Sequence, residues 1–184
     1  MEAILNSFLL VFVSEMGDKT QLLALVLAAR FKKPIPIMFG ILGATILNHA
    51  LASYVGVFVT QYISQEILKW LLAATFIGFG VWILIPDEDE GLNENYKWGP
   101  FVTTLVAFFL AEMGDKTQLA TVALGAKYTA PIAVTFGTTM GMLGADGLAV
   151  FFGHKFTQKI SMKWVHRVAS ALFILFGLLI AFKT

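Results

Sequence analysis

Apolar residues fall into six long runs, roughly residues 4–29, 35–60, 67–85, 101–126, 131–153 and 164–182, with short polar breaks between them. A transmembrane helix needs about 20 mostly apolar residues, so each run predicts one span and little chain remains to fold outside the bilayer. Pro34 and Pro131 follow the first and fourth runs, with Arg30, Lys32 and Lys33 or Lys127 alongside, which predicts tight turns at the membrane surface. One longer polar stretch, 87–100, starts with Asp87-Glu88-Asp89-Glu90 and closes on Gly99-Pro100. It is too short to fold alone and predicts a solubilising linker.

That linker separates two copies of one unit. Shifting the chain by 97 residues lays Glu15-Met-Gly-Asp-Lys-Thr-Gln-Leu22 on Glu112-Met-Gly-Asp-Lys-Thr-Gln-Leu119 without a mismatch, and also pairs Pro34 with Pro131, Gly40 with Gly137, Gly56 with Gly153 and Gly80 with Gly177. Each copy holds three spans, an odd number, so the second must enter the membrane from the opposite side. The expected fold is therefore all-α and integral to the membrane: six transmembrane helices arranged as two inverted three-helix repeats, 1–86 and 101–184, around the linker 87–100.

Composition agrees. The chain of 184 residues is 58% hydrophobic and 14% charged, with a mean hydropathy of +0.78, against about 45–50% and about 25% in soluble domains. A net charge of +1 offers no basic surface for nucleic acid, and the lack of cysteine excludes disulfides, thiolate metal sites and thiol catalysis. Glu2 ahead of the first run and Glu15 within it argue against a signal peptide. With the N-terminus outside, the inner loops gather Arg30, Lys32, Lys33, Lys97, Lys155, Lys159, Lys163 and Arg167, and the outer ones only Lys69, Lys127 and Lys183. The positive-inside rule then places both termini on the outer (periplasmic) face of a cell inner membrane.

Six ionisable groups lie deep in the first and fourth runs: Glu15, Asp18 and Lys19, then Glu112, Asp115 and Lys116. Each costs on the order of 2.5–3.5 kcal/mol at the centre of a bilayer, so a cavity or mutual pairing must receive them. Glu and Asp three residues apart share one face of a helix, and Gly17 or Gly114 between them invites a break that frees carbonyls. A two-fold axis in the membrane plane would bring all four carboxylates together, and four hard oxygens suit a divalent cation. Four carboxylates less two lysines leave −2, which one divalent ion neutralises. The alternative is a pair of ordinary i,i+4 bridges, Glu15–Lys19 and Glu112–Lys116, which would leave both aspartates unpaired. Thr20, Thr117, Gln21 and Gln118 follow as supporting polar groups without a defined role. Asn48, His49 and Asp146 are the other polar residues deep in a span; His49 and Asp146 correspond under the shift and are candidates for proton transfer or for completing the cation site. Met16 and Met113 are expected to face lipid or core, and His154 and His166, near span ends, to be solvated.

At the repeated Glu-Met-Gly-Asp-Lys-Thr the chain resembles the GDT-type cation/proton exchangers, which carry two such motifs on the first and fourth of six spans. The resemblance covers essentially the whole chain and is nearest to bacterial manganese exporters, related to Golgi and chloroplast members that move Mn²⁺ and Ca²⁺. It implies export of Mn²⁺, with Ca²⁺ a second substrate, in exchange for H⁺. By the same resemblance Glu15, Asp18, Glu112 and Asp115 are the cation ligands, with the metal as cargo, no cofactor, no catalytic residue and the lipid bilayer as surroundings. Two other functions fit part of the pattern: a divalent cation channel, and an intramembrane metallo-hydrolase. The hydrolase does not account for the motif's occurring twice.

Overall fold

The computed structural model describes residues 1–85, 98–153 and 162–182, all helices and turns. The acidic run 87–90 and Lys97, Lys155, Lys159 and Lys183 lie outside the described residues. Eight helices follow in order: α1 (Glu2–Glu15), α2 (Lys19–Phe31), α3 (Pro34–Val59), α4 (Gln65–Trp82), α5 (Pro100–Glu112), α6 (Lys116–Tyr128), α7 (Pro131–Phe152) and α8 (Met162–Phe182). Among the described residues three apolar segments are long enough to cross a membrane unaided, Pro34–Val59, Pro131–Phe152 and Lys163–Phe182. The first and fourth runs, each expected as one span with a glycine that invites a break, are each cut into two half-length helices at Gly17 and Gly114. Both glycines take a positive φ, 85° and 82°, where a side chain would strain the backbone.

The turns are built alike in both copies. Lys32 ends α2 and Thr129 ends α6 in the left-handed conformation, their N–H groups returning to Ala28 O and Gly125 O. Pro34 and Pro131 then open α3 and α7 at a position where no N–H is needed.

Packing repeats with the copies exchanged. A methyl on Gly40 of α3 would stand 2.7 Å from Thr104 Cβ and 2.8 Å from Phe101 O of α5; one on Gly137 of α7 would stand 2.9 Å from Ser7 Cβ and 2.5 Å from Ile4 O of α1. Subtracting 97 from 104 and 101 gives 7 and 4, so this is one contact made twice. Gly80 against Ile174 and Gly177 against Ile77 do the same for α4 and α8. Glycine lets these backbones approach as they do in membrane helix pairs.

The apolar interior is divided between two regions. One is formed chiefly by α1, α4, α6 and α8 around Leu10, Leu72, Phe76, Leu124 and Phe173. The other is formed by α2, α3, α5 and α7 around Leu27, Ile41, Phe108 and Met142. Thus the pair α4/α8 leans on α1 and α6, one half-helix from each copy, and has no comparable packing against α2 or α5 among the described residues.

Candidate functional site

Both breaks are finished by the same glutamine device. Interrupting a helix orphans N–H groups at the start of the second half and carbonyls at the end of the first. Gln21 Oε1 accepts the Gly17 N–H at 2.9 Å, and Gln118 Oε1 accepts the Gly114 N–H at 2.7 Å. Asp18 and Asp115 sit at the caps of α2 and α6, the Asp115 carboxylate accepting the Lys116 N–H at 2.7 Å. Across the fold, Asn48 donates to Phe109 O at 3.1 Å and Gln21 Nε2 to Ala145 O at 2.9 Å, tying α3 and α7 to the broken segments. Glu and Asp therefore do not share one helical face, as the spacing predicted. Glu15 and Glu112 end the first halves, and the aspartates start the second.

The two copies meet here. Glu15 is fully buried and accepts Thr20 Oγ1–H at 2.6 Å from its own copy and a short hydrogen bond from Thr117 of the other. Lys19 Nζ lies 3.3 Å from Asp115 Oδ2, a charge contact between copies in place of the local Glu15–Lys19 bridge that the i,i+4 alternative required. Lys116 instead donates to Ile85 O at the end of α4 at 3.1 Å, its ammonium 5.6 Å from the Trp82 ring centre.

Glu112 and Asp146 are equally buried, and no carboxylate oxygen of either has a hydrogen-bond donor among the described residues. Glu15, Asp115, Asp146 and Asp18 lie close enough for their charges to act on Glu112. His49 is buried with both ring nitrogens unpartnered among those residues. Unpaired carboxylates in an apolar interior are an unmet demand for positive charge, which a cation or a proton supplies. Among the described residues no three His, Asp or Glu side chains are grouped so as to hold one metal ion together. Met113 is exposed and Met16 half-buried, away from a ligating role.

A narrow cleft of about 10 Å³, room for about one water molecule, runs from the ends of α4 and α8 to the breaks, lined by Ile83 and Ile85, by His166, and by Ser14, Asp18, Lys116 and Thr117. It ends at the threonine that donates to Glu15. Sequence reading placed His166 in solvent; the side chain is half-buried and faces this cleft. Ser14 was not singled out at all. The signal for both lay in the 97-residue shift, which pairs His166 with Lys69 and Ser14 with Ala111 and so marks where the copies differ.

A polar junction of broken helices drawn from two copies suits ion translocation. Comparison with known proteins agrees: the family model described as "Divalent cation/proton antiporter GDT1" matches residues 3–91 and 100–184. The chain belongs to the GDT1 family. It is 46% identical over 183 residues to a Vibrio cholerae protein named "Putative manganese exporter", covering 99% of this chain and 92% of that one. A GDT1-like protein of Synechocystis is 29% identical, covering 96% of this chain and 95% of its own length, and a GDT1-like protein of rice is 29% identical over 96% and 72%. No solved structure matches. GDT1 membership makes this a transporter family rather than an enzyme class, and with the apolar helices it indicates a multi-pass membrane protein.

Proposed function

We propose that this GDT1 protein exports Mn²⁺, and Ca²⁺ less selectively, from the cytoplasm in exchange for protons. Glu15, Asp18, Glu112 and Asp115 hold the ion in turn, with Thr20 and Thr117 orienting the glutamates. The observation that carries this reading is the pair of contacts between copies, Thr117 to Glu15 and Lys19 to Asp115, made where two otherwise apolar helices are broken. Half-helix ends expose carbonyls and carboxylates to one small volume, which is how broken-helix transporters hold cations near the bilayer midplane.

The chain crosses the membrane six times. α1 with α2 forms the first span and α5 with α6 the fourth, and residues 1–86 and 101–184 are inverted copies joined by a cytoplasmic linker. The exchanged contacts of Gly40 and Gly137 and the family model's two matched segments support this arrangement. Both termini lie outside, by the distribution of Lys and Arg. In that orientation α1 and α6 occupy the outer half of the membrane and are sealed against α4/α8, while the cleft opens from the cytoplasm. Opening the other way requires α4/α8 to rock towards α2 and α5. Asp146 and His49 stand behind the carboxylates on α7 and α3, and we assign Asp146 to proton transfer.

Export by exchange needs metal and protons to compete for the same carboxylates, because protonation cancels the charge that attracts the ion. The test is Mn²⁺ movement in liposomes holding only this protein, with an imposed pH gradient and the membrane potential clamped. Uphill Mn²⁺ movement driven by the pH gradient is expected. Movement that follows the potential and ignores pH would mean a channel.

A further inference from the structure

The cleft is not a copy of its counterpart on the other face: three of the residues that line it differ, and two of the three bear on a metal ion. Subtracting or adding 97 carries Asp18 to Asp115, Thr117 to Thr20, Lys116 to Lys19 and Ile83 to Ile180, all identities. His166 is carried to Lys69, Ser14 to Ala111 and Ile85 to Phe182. Each set includes one motif lysine, Lys116 or Lys19; beyond it, one set offers a carboxylate, an imidazole and a hydroxyl, and the other a carboxylate, a second ammonium and a methyl group. An imidazole nitrogen is a good ligand for first-row transition ions, whereas Ca²⁺ and Mg²⁺ take oxygen. An ammonium repels any cation.

We infer that the cleft between α4, α8 and the breaks is a loading site for a divalent transition-metal ion, with the Asp18 carboxylate and His166 imidazole as its protein ligands, and that Lys69 discourages rebinding at the equivalent place on the releasing face. The inference rests on the transport function proposed above. Two side-chain ligands with the Ser14 and Thr117 hydroxyls suit an ion in passage that sheds most of its water as it enters, since the cleft has room for about one water molecule. Thr117 connects the site to the interior, since its hydroxyl is bonded to Glu15. His166 therefore sets which ion is admitted, and the buried carboxylates set whether it is carried.

Inside-out membrane vesicles, which present the cytoplasmic face to the medium, give the test through initial Mn²⁺ uptake against Mn²⁺ concentration, with and without competing Ca²⁺. His166→Lys, which copies the other face, is expected to raise KM about tenfold or more and to lower kcat by less. His166→Asn, which adds no charge, is expected to weaken discrimination of Mn²⁺ from Ca²⁺ severalfold. In right-side-out vesicles, where exchange runs backwards, Lys69→His is expected to lower KM, and His166→Lys to change it little. An unchanged KM for both His166 variants at normal protein levels, or equal effects from both faces, would overturn the inference and leave the transport function standing. Wild-type vesicles that take up no more Mn²⁺ than Glu15→Gln vesicles would overturn the transport function itself.

Discussion

Glu15 and Glu112 each close a half-helix, each precede Met-Gly-Asp-Lys-Thr-Gln-Leu, and each are fully buried. Their surroundings nevertheless differ. Glu15 accepts two threonine hydroxyls, one from each copy, while Glu112 accepts nothing among the described residues. Identical sequences cannot produce that difference locally, so it must come from how the copies are placed. α4/α8 rests on α1 and α6, and both Thr20 and Thr117 are turned to Glu15 on the side where Leu10, Phe76 and Leu124 close the interior. In an exchanger with two equivalent states, the other state transfers the threonines to Glu112. The asymmetry then belongs to the conformation and not to the residues.

The severest way to break this comparison is to neutralise each glutamate in turn. Glu15→Gln and Glu112→Gln should each reduce transport by about a hundredfold or more, because each removes a ligand and a charge that must be used once per cycle. Their effects should agree within a small factor, although one residue has donors in this state and the other has none. Protein level and thermal stability should hold, since a neutral amide is cheaper to bury than a carboxylate. Normal Mn²⁺ transport by Glu112→Gln would mean that the difference is permanent and that the two states do not alternate.

The threonines give a smaller and more selective test. A hydrogen bond to a charged group contributes about 1.5–3 kcal/mol, so Thr20→Val and Thr117→Val should each lower transport about tenfold. If the hydroxyls serve Glu15 and Glu112 alternately, the two variants should match. Should Thr117→Val be severe and Thr20→Val silent, the contact between copies would be a fixed strut.

Much of this could be read from the chain, and what could not has a physical cause. The duplication, the buried charges and the break at Gly17 and Gly114 were all legible, because they rest on repetition, burial cost and backbone freedom. The roles of Thr20, Thr117, Gln21 and Gln118 were not, since their angles were judged on a continuous helix and the break rotates the second half. The Lys19–Asp115 contact needs the tertiary arrangement, as the nearer Glu15 was the local choice. His166 was judged by its distance from a span end, but its half-burial follows from the lean of α4/α8, which no local pattern encodes. Convergence of all four carboxylates on one ion was drawn from the two-fold alone, which no local pattern fixes.

A difference confined to stability separates the glutamines. Each caps a glycine N–H, but Gln21 also donates to Ala145 O, so it ties two helices where Gln118 closes one break. Gln21→Ala should lower the thermal midpoint more than Gln118→Ala, by the equivalent of about 1 kcal/mol for the additional hydrogen bond. Thermal unfolding in detergent, followed by tryptophan emission, reads both. Equal losses would mean that the Ala145 contact contributes nothing net.

The mildest perturbation acts on the α1/α6 face, away from the motif carboxylates. Asn6 Nδ2 donates to Tyr128 Oη at 2.6 Å, linking the start of α1 to the end of α6. The shift carries these residues to Thr103 and Phe31, a pair that cannot make the same bond because Phe31 has no hydroxyl; Thr103 turns instead to Trp98 O. This latch therefore favours closure on the α1/α6 side only. Removing it with Tyr128→Phe keeps the ring and its packing, and should cost the closed state about 1 kcal/mol, which is roughly a fivefold change in the ratio of the two states. A cysteine at Ala120 of α6, buried in the apolar region that α1, α4, α6 and α8 form, reports that ratio through its reaction with an impermeant thiol reagent applied from the side of the N-terminus. In the Tyr128→Phe background the labelling rate should rise severalfold, while the same substitution leaves Mn²⁺ dependence at the opposite face within a small factor. An unchanged rate would show that the latch carries no share of the bias. The lean of α4/α8 against α1 and α6 would then rest on apolar packing alone.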